Sequence, residues 1–368
     1  VTPVLALTQG DPAGIGPEIL LELVLDSPQP AAWRPLLVAE RAALEALRPV
    51  LPGFPWDRLR YFAGPPSREE TMAGGIPVLD PVGSRRAVTF GVSGPADAGG
   101  AMAALDAGIS LVRSGAADAL VTAPVSKVSI ARQHLPGFTG HTDYLAAVCG
   151  LERYGRDYLM AFLAPDLQVA LLSVHLPLRA ALDGITGETV GAALDCLHRH
   201  AGGRIALAGL NPHAGEAGLL GREEEQVLAP AAAAARARGI DVRGPESADS
   251  LFARARRGEY DWVLALYHDQ GLIAVKTAAF GLATNWTLGL PFLRTSVDHG
   301  TAFPLAGRGV ADAKPLAAVV ETTLKLIAGE LPRPSPPRPS SPDPSLPRSP
   351  GEILMPLGGT TKGDENEG

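Results

Sequence analysis

Between Asp261 and Phe303 the sequence changes character. An apolar run, Trp262–Leu266, gives way to Tyr267-His268-Asp269-Gln270-Gly271, then Lys276, Asn285, Gly289-Leu290-Pro291, Arg294 and Asp298-His299-Gly300-Thr301. Nearly every side chain here that is not apolar or glycine can bind an anion, hold a metal or move a proton. A solvent-facing loop would be richer in Glu, Ser and Lys. A core segment would not carry His268, Asp269, Lys276, Arg294, Asp298 and His299 together. The stretch reads as the wall of an active site.

Three histidines share one topological position. His175 follows the apolar run Val169–Val174, His213 follows Ile205–Leu210, and His268 follows Trp262–Tyr267. Each stands at or just beyond the carboxyl end of an expected strand, where open α/β sheets bind their ligands. One such His is more often structural or merely exposed. Three neutral imidazoles meeting there can hold a divalent transition metal, Zn²⁺ being the usual choice for nitrogen ligands, with a position left for substrate. A hydrolytic zinc enzyme would use the same set, so the metal alone does not fix the reaction.

Around them, His141, Lys276, Asn285 and Arg294 read as a pocket for a small anion. Gly137-Phe138-Thr139-Gly140-His141-Thr142-Asp143-Tyr144 precedes an apolar helix and resembles a helix N-terminus built to receive that anion. The plainer alternative makes Thr139 or Thr142 only a cap. Asp249, Asp269 and Asp298 are acceptors for amines, hydroxyls or the outer protons of metal-bound His. Arg294 and Asp298, four apart, can instead form a simple ion pair. Lys127 follows a strand end and reads equally as a site residue or a solvated lysine.

The elements that must position these groups alternate between strand and helix. Strands are expected at Val4–Leu7, Leu36–Ala39, Asp118–Ala123, Leu159–Leu163, Val169–Val174, Ile205–Leu210 and Trp262–Leu266. Helices are expected at Ile19–Leu25, Arg41–Leu47, Ala98–Arg113, Thr186–Arg199 with Thr186 as cap, Glu223–Arg238, Ser250–Arg256 and Asp312–Ala328. Gly10-Asp11-Pro12-Ala13-Gly14-Ile15-Gly16-Pro17-Glu18 is a Gly-rich strand-to-helix turn, but its spacing is not the G-x-G-x-x-G dinucleotide fingerprint. From Leu331 prolines dominate, and the expectation for 331–368 is a Pro-rich, disordered tail.

Composition narrows the function. The 368 residues are 46% hydrophobic and 19% charged, enough for a sizeable core in two or three domains or two lobes. The net charge of −7, with no basic run, argues against nucleic-acid binding. Cys149 and Cys196 lack metal-ligand spacing, no apolar run approaches the roughly 20 residues of a membrane span, and no charged-then-apolar leader opens the sequence. The expectation is a reduced, cytoplasmic protein without a membrane partner.

Seven blocks together resemble the 4-hydroxythreonine-4-phosphate dehydrogenase family of pyridoxal phosphate biosynthesis. They are GDPAGIGPE (Gly10–Glu18), TAPVSK (Thr122–Lys127), FTGHTDYLA (Phe138–Ala146), NPHAGE (Asn211–Glu216), SADSLF (Ser247–Phe252), YHDQGL (Tyr267–Leu272) and NWTLGLPFLRTSVDHGTAF (Asn285–Phe303). The resemblance implies a two-lobed α/β/α fold like that of isocitrate and isopropylmalate dehydrogenases, with residues 1–330 as catalytic region and the active site between the lobes. It implies a homodimer in which His175, His213 and His268 bind a divalent metal (Zn²⁺, Mg²⁺ or Co²⁺) shared across the interface. His141, Thr142, Lys276, Asn285 and Arg294 match substrate-binding positions, and NAD or NADP is the cofactor, with no contacting residue assigned. The implied reaction oxidises 4-phosphohydroxy-L-threonine at C3 and decarboxylates the product, with Lys276, Asp249 or Asp269 relaying protons. Relatives of the family oxidise D-threonate or D-erythronate 4-phosphate. A non-redox metal hydrolase or an anion-binding protein is the reading from a different class.

Overall fold

The computed structural model describes residues 2–26 and 32–331. The expected tail, Leu331 apart, lies outside the described residues. The strands are β1 (Val4–Thr8), β2 (Arg34–Val38), β3 (Leu59–Phe62), β4 (Ile76–Leu79), β5 (Ala119–Thr122), β6 (Leu159–Leu163), β7 (Gln168–Leu171), β8 (Ile205–Ala208), β9 (Val242–Glu246), β10 (Trp262–Ala265), β11 (Thr284–Leu288) and β12 (Leu293–Ser296). They form one sheet in the order β3-β4-β2-β1-β5-β12-β11-β6-β7-β10-β8-β9.

The sheet has two parallel halves. From β3 to β12 every neighbouring pair is parallel, and so is every pair from β7 to β9. Between them, β12–β11, β11–β6 and β6–β7 are antiparallel. Three reversals in succession make the two halves run in opposite directions. Their carboxyl ends therefore lie at opposite edges, and anything touching both must span the face of β11 and β6.

Side-chain alternation buries both faces. In β1, Leu5 and Leu7 enter one core cluster, while Val4 and Ala6 enter another on the opposite face. In β10, Trp262 and Leu264 point one way, and Val263 and Ala265 the other. Strands covered on both faces read as continuous apolar runs, which is why these were plain in the sequence. Helix Gly16–Asp26 packs on Lys314–Ile327 over one face of the first half, and helix Pro95–Arg113 covers the other. Helices Gly187–His200 and Ala229–Ala237 cover one face of the second half; Ala248–Arg256 and His268–Ala279 cover the other.

The Gly-rich turn fastens this frame. A Cβ on Gly10 would lie 2.1 Å from Pro124 O, and one on Gly16 would lie 1.8 Å from Gln9 O. Asp11 N–H donates to Pro124 O and Ile15 N–H to Thr301 O. The turn thus ties the segment after β5 to the segment after β12, both of which reach the site. The buried Glu18 carboxylate accepts from the N–H groups of Gly307 (3.0 Å) and Ala311 (2.8 Å).

Several elements differ from expectation. Residues 284–296 form β11 and β12 rather than irregular wall, and β9 occupies part of an expected loop. His268–Ala279 is a helix, so the segment after β10 turns at once into a helix start. The expected helix Glu223–Arg238 opens with a π-turn, Glu224–Leu228.

Candidate active site

Antiparallel register sets the floor of a cavity of about 230 Å³. Ser296 of β12 is opposite Thr122 of β5 and Asn285 of β11, and Asn285 is opposite Phe162 of β6. One step along the same face come Arg294, Thr287 and Met160. Around this floor stand the loop after β5 (Pro124, Lys127), the segment Thr139–Asp143, the loop after β12 (Asp298–Gly300), and His175 and His268 from the second half. A broader groove of about 760 Å³ adjoins it and shares Lys127, Asp143, Tyr154 and His175.

Arg294 dominates the electrostatics. It is 2% exposed, inside the sheet, and donates from Nη1 to Thr287 Oγ1 (3.0 Å) and from Nη2 to Thr122 Oγ1 (2.7 Å). No carboxylate pairs with it, and its Nε, like Asn285 Oδ1, is buried without a hydrogen-bond partner among the described residues. Burial pushes the guanidinium down to about 9. Two hydroxyls hold its geometry without neutralising it. A buried cation left in this state is poised to take a bound anion as its counter-ion. The alternative ion pair with Asp298 is not formed: Asp298 of the cavity wall instead pairs with Lys276 (Oδ2–Nζ 3.1 Å), which is exposed and not part of the lining.

Helix His141–Val148 aims its N-terminus at the same space. Gly140 is its cap at φ 151°, and neither threonine caps it; Thr139 Oγ1 donates to Asp143 Oδ2 (2.6 Å) instead. That leaves the N-terminal N–H groups without a side-chain cap and Thr142 buried at the cavity wall. Burial, then Arg294 and Lys127, hold the His141 imidazolium well below its ordinary range, so His141 is neutral.

The expected metal set assembles only in part. The rings of His175 and His268 lie 5.6 Å apart between centroids. Burial, then Lys127 and His268, lower the His175 pKa, which favours the neutral, metal-binding form. His268 Nδ1 is 2.7 Å from Asp269 Oδ1, so Nδ1–H donates to the carboxylate and Nε2 is left for a ligand. His213 stands apart from this pair, exposed, with Nδ1 4.0 Å from Asp249 Oδ2. Among the described residues of one chain, no group of three His, Cys, Asp or Glu side chains forms a metal site. The expectation that three strand ends bring three imidazoles together thus fails within one chain. β7, β10 and β8 are neighbours, but the segment after β8 curls into a left-handed turn. Asp249, expected to handle protons, is exposed and lies with His213 outside the cavity lining.

Several lining residues were not selected from the sequence. Lys127 was left open there. Thr122 and Ser296 are ordinary strand hydroxyls in sequence, and so is Thr287, which holds Arg294 from outside the lining. Only period-two alternation about Arg294, across strands not expected at 284–296, would have put them on its face.

An α/β sheet with a buried, unneutralised arginine, a helix N-terminus and several imidazoles around one cavity is the architecture of an enzyme acting on a small molecule. Comparisons with known proteins narrow that class. The family model described as pyridoxal phosphate biosynthetic protein PdxA matches residues 32–323. A 4-hydroxythreonine-4-phosphate dehydrogenase of Methylorubrum populi is 42% identical over 344 residues, covering 88% of this chain and 94% of that protein. One from Acidithiobacillus ferrooxidans is 41% identical, covering 88% and 96%. The crystal structure of the Klebsiella pneumoniae 4-hydroxythreonine-4-phosphate dehydrogenase superposes with a TM-score of 0.76 at 31% identity, covering 88% and 99%. A terephthalate 1,2-cis-dihydrodiol dehydrogenase from Burkholderia xenovorans shares the fold more distantly, with a TM-score of 0.59 at 25% identity, covering 88% and 98%. The chain belongs to the pyridoxal phosphate biosynthetic PdxA family. It is an oxidoreductase whose class uses a nicotinamide cofactor, and among its described residues no helix is long and apolar enough to cross a membrane.

Proposed function

We propose that this enzyme oxidises 4-phosphohydroxy-L-threonine at C3 and releases CO₂, giving 3-amino-2-oxopropyl phosphate for pyridoxal 5'-phosphate biosynthesis. The observation that carries this reading is Arg294, buried and without a carboxylate in a cavity that also receives a helix N-terminus. A phosphorylated amino acid supplies the missing negative charge. Arg294, the N–H groups at His141–Thr142 and the Asn285 side chain bind the anionic substrate and fix its orientation. Neutral His141 can donate to or accept from it. Lys276, paired with Asp298 of the cavity wall, is the residue we assign to move a proton as the substrate hydroxyl is oxidised and the carboxylate leaves.

A bound nicotinamide cofactor, NAD or NADP, would supply the hydride acceptor, and a divalent metal held by His175 and His268 would supply Lewis-acid stabilisation of developing negative charge. His175 and His268 fit such a metal: they are adjacent, His175 is biased to its neutral form, and His268 is oriented by Asp269. We read His213, exposed beside Asp249 and away from its own cavity, as the ligand given to a second copy of the chain in a homodimer. The exposed Leu219 and Leu220 that follow it support that reading. Residues 1–330 then act as a catalytic region of two lobes, one per sheet half.

The test is nicotinamide reduction by the purified full chain with Zn²⁺, Mg²⁺ or Co²⁺. It compares 4-phosphohydroxy-L-threonine with D-threonate and D-erythronate 4-phosphates. Metal-dependent reduction with the amino acid is expected. Reduction with a sugar acid alone would move the enzyme to sugar-acid oxidation. Phosphate release without any reduction would replace the redox reading with a hydrolytic one.

A further inference from the structure

After β8 the backbone does something costly. From His213 to Ala217 every φ is positive (51°, 50°, 82°, 43° and 51°), and only Gly215 is a glycine. L-residues avoid this left-handed conformation because Cβ crowds the following carbonyl oxygen. Four non-glycine residues within one such run need an anchor outside the run. Strain of this kind persists only where the surroundings over-determine it.

Glu224 supplies the anchor. It is 3% exposed and is the first residue of the π-turn Glu224–Leu228. Its Oε1 accepts from the N–H groups of Leu210 and Asn211, both at 2.7 Å, and its Oε2 accepts from Asn211 Nδ2 at 2.9 Å. The carboxylate thereby fixes the two residues that lead into Pro212-His213. It also fills the hollow of the turn: a Cβ on Gly215 would lie 2.8 Å from Glu224 Oε2 and 3.0 Å from Gly221 O. No ion pair with a cation uses this buried charge among the described residues. It is met by N–H donors alone. The π-turn is the local irregularity that carries it, a feature that recurs at functional sites.

We propose that Glu224 and Gly215 are positioning residues that hold the left-handed turn in the one conformation that presents His213 as a metal ligand. The proposal rests on the metal reading above. It adds that the third imidazole is placed by a strained turn and a buried carboxylate rather than by the end of β8 itself.

The test uses Co²⁺ as probe with the full chain. Visible d–d absorbance reports ligand number, and titration gives affinity. Glu224→Gln puts an amide donor where the carboxylate now meets only donors. Gly215→Ala pushes a methyl group into Oε2. Each variant is expected to weaken Co²⁺ binding about tenfold or more, within the range for residues that orient metal ligands. Each should also lower the intensity of the band as an imidazole is lost. Glu225→Gln, which removes an exposed carboxylate charge one residue along, should change neither. Thermal midpoints run alongside, and should Glu224→Gln fail to fold, Gly215→Ala carries the test. If wild type binds Co²⁺ and both variants bind it equally with the same spectrum, the positioning role is wrong. If wild type itself binds no Co²⁺, the metal reading fails and this proposal falls with it.

Discussion

The two halves of the sheet contribute to the site in opposite ways. On the first half, with the β11 and β6 strands beside it, the anion pocket is finished. Arg294 is buried, its two hydrogen bonds come from neighbouring strands, and its wall is braced by the Gly10–Glu18 turn. On the second half the metal set is unfinished in one chain. His175 and His268 meet, whereas His213 is held away on an exposed left-handed turn. The contrast is physical. A cation with hydroxyl partners can wait inside a sheet for its anion, at the expense of desolvation. A set of imidazoles can be left incomplete, because an imidazole tolerates exposure where a buried cation does not. Binding charge is thus preorganised within the chain, while on the proposed reading the metal chemistry waits for a second copy of it.

The sharpest way to break this contrast is His213→Ala. Metal-dependent nicotinamide reduction is expected to fall at least about a hundredfold, since a direct ligand does more than the outer partners that orient it. The thermal midpoint should hardly move, the side chain being exposed. Unchanged turnover would remove His213 from the metal set. Next comes Arg294→Met. Losing the buried partner of a bound anion costs roughly 2–5 kcal/mol, about 30-fold or more in kcat/KM. Affinity for the nicotinamide cofactor, read by fluorescence titration, should stay within about twofold. A larger loss for cofactor than for substrate would move Arg294 to the cofactor site. The same variant should melt no lower than wild type without substrate, because it removes a buried charge that lacks a counter-ion.

Smaller effects sharpen the picture on each side. Asp269→Asn weakens the orientation of His268 and should reduce Co²⁺ affinity about 10- to 100-fold. An unchanged titration would make that contact incidental. The smallest effect belongs to His141. Its folded pKa lies well below the ordinary value of 6.5, so below pH 6.5 the unfolded chain binds a proton that the folded chain does not. Stability therefore falls as pH drops through 6.5, and this loss levels off at the lower folded value. His141→Gln should flatten that part of the pH–stability curve measured by urea unfolding. An unaltered slope would mean that His141 titrates normally.

Much of the fold was legible because strands buried on both faces are unbroken apolar runs, as Val4–Leu7 and Trp262–Leu266 are. The helices with caps and amphipathic faces were legible too: Thr186 caps Gly187–His200 as its sequence suggests. β11 and β12 were obscured by the very residues that make them functional. Asn285, Arg294 and Ser296 interrupt the apolar alternation because one face of those strands looks into a cavity instead of a core. β9 carries Gly244-Pro245, which reads as a loop.

The sequence by itself determined the chemistry that is available: an arginine, a lysine, histidines and carboxylates placed just after apolar runs, in blocks specific enough to indicate the family. Those are local properties, set by residue type and by the periodicity of strand and helix. Only the tertiary structure decided which of them meet. It paired Lys276 rather than Arg294 with Asp298, left Arg294 with hydroxyls alone, and brought His175 to His268. It also turned His213 outward on a left-handed run anchored by Glu224. These outcomes depend on strand order and on the reversal of direction between the two halves. Both are properties of pairings between residues far apart in the chain, which no local pattern encodes.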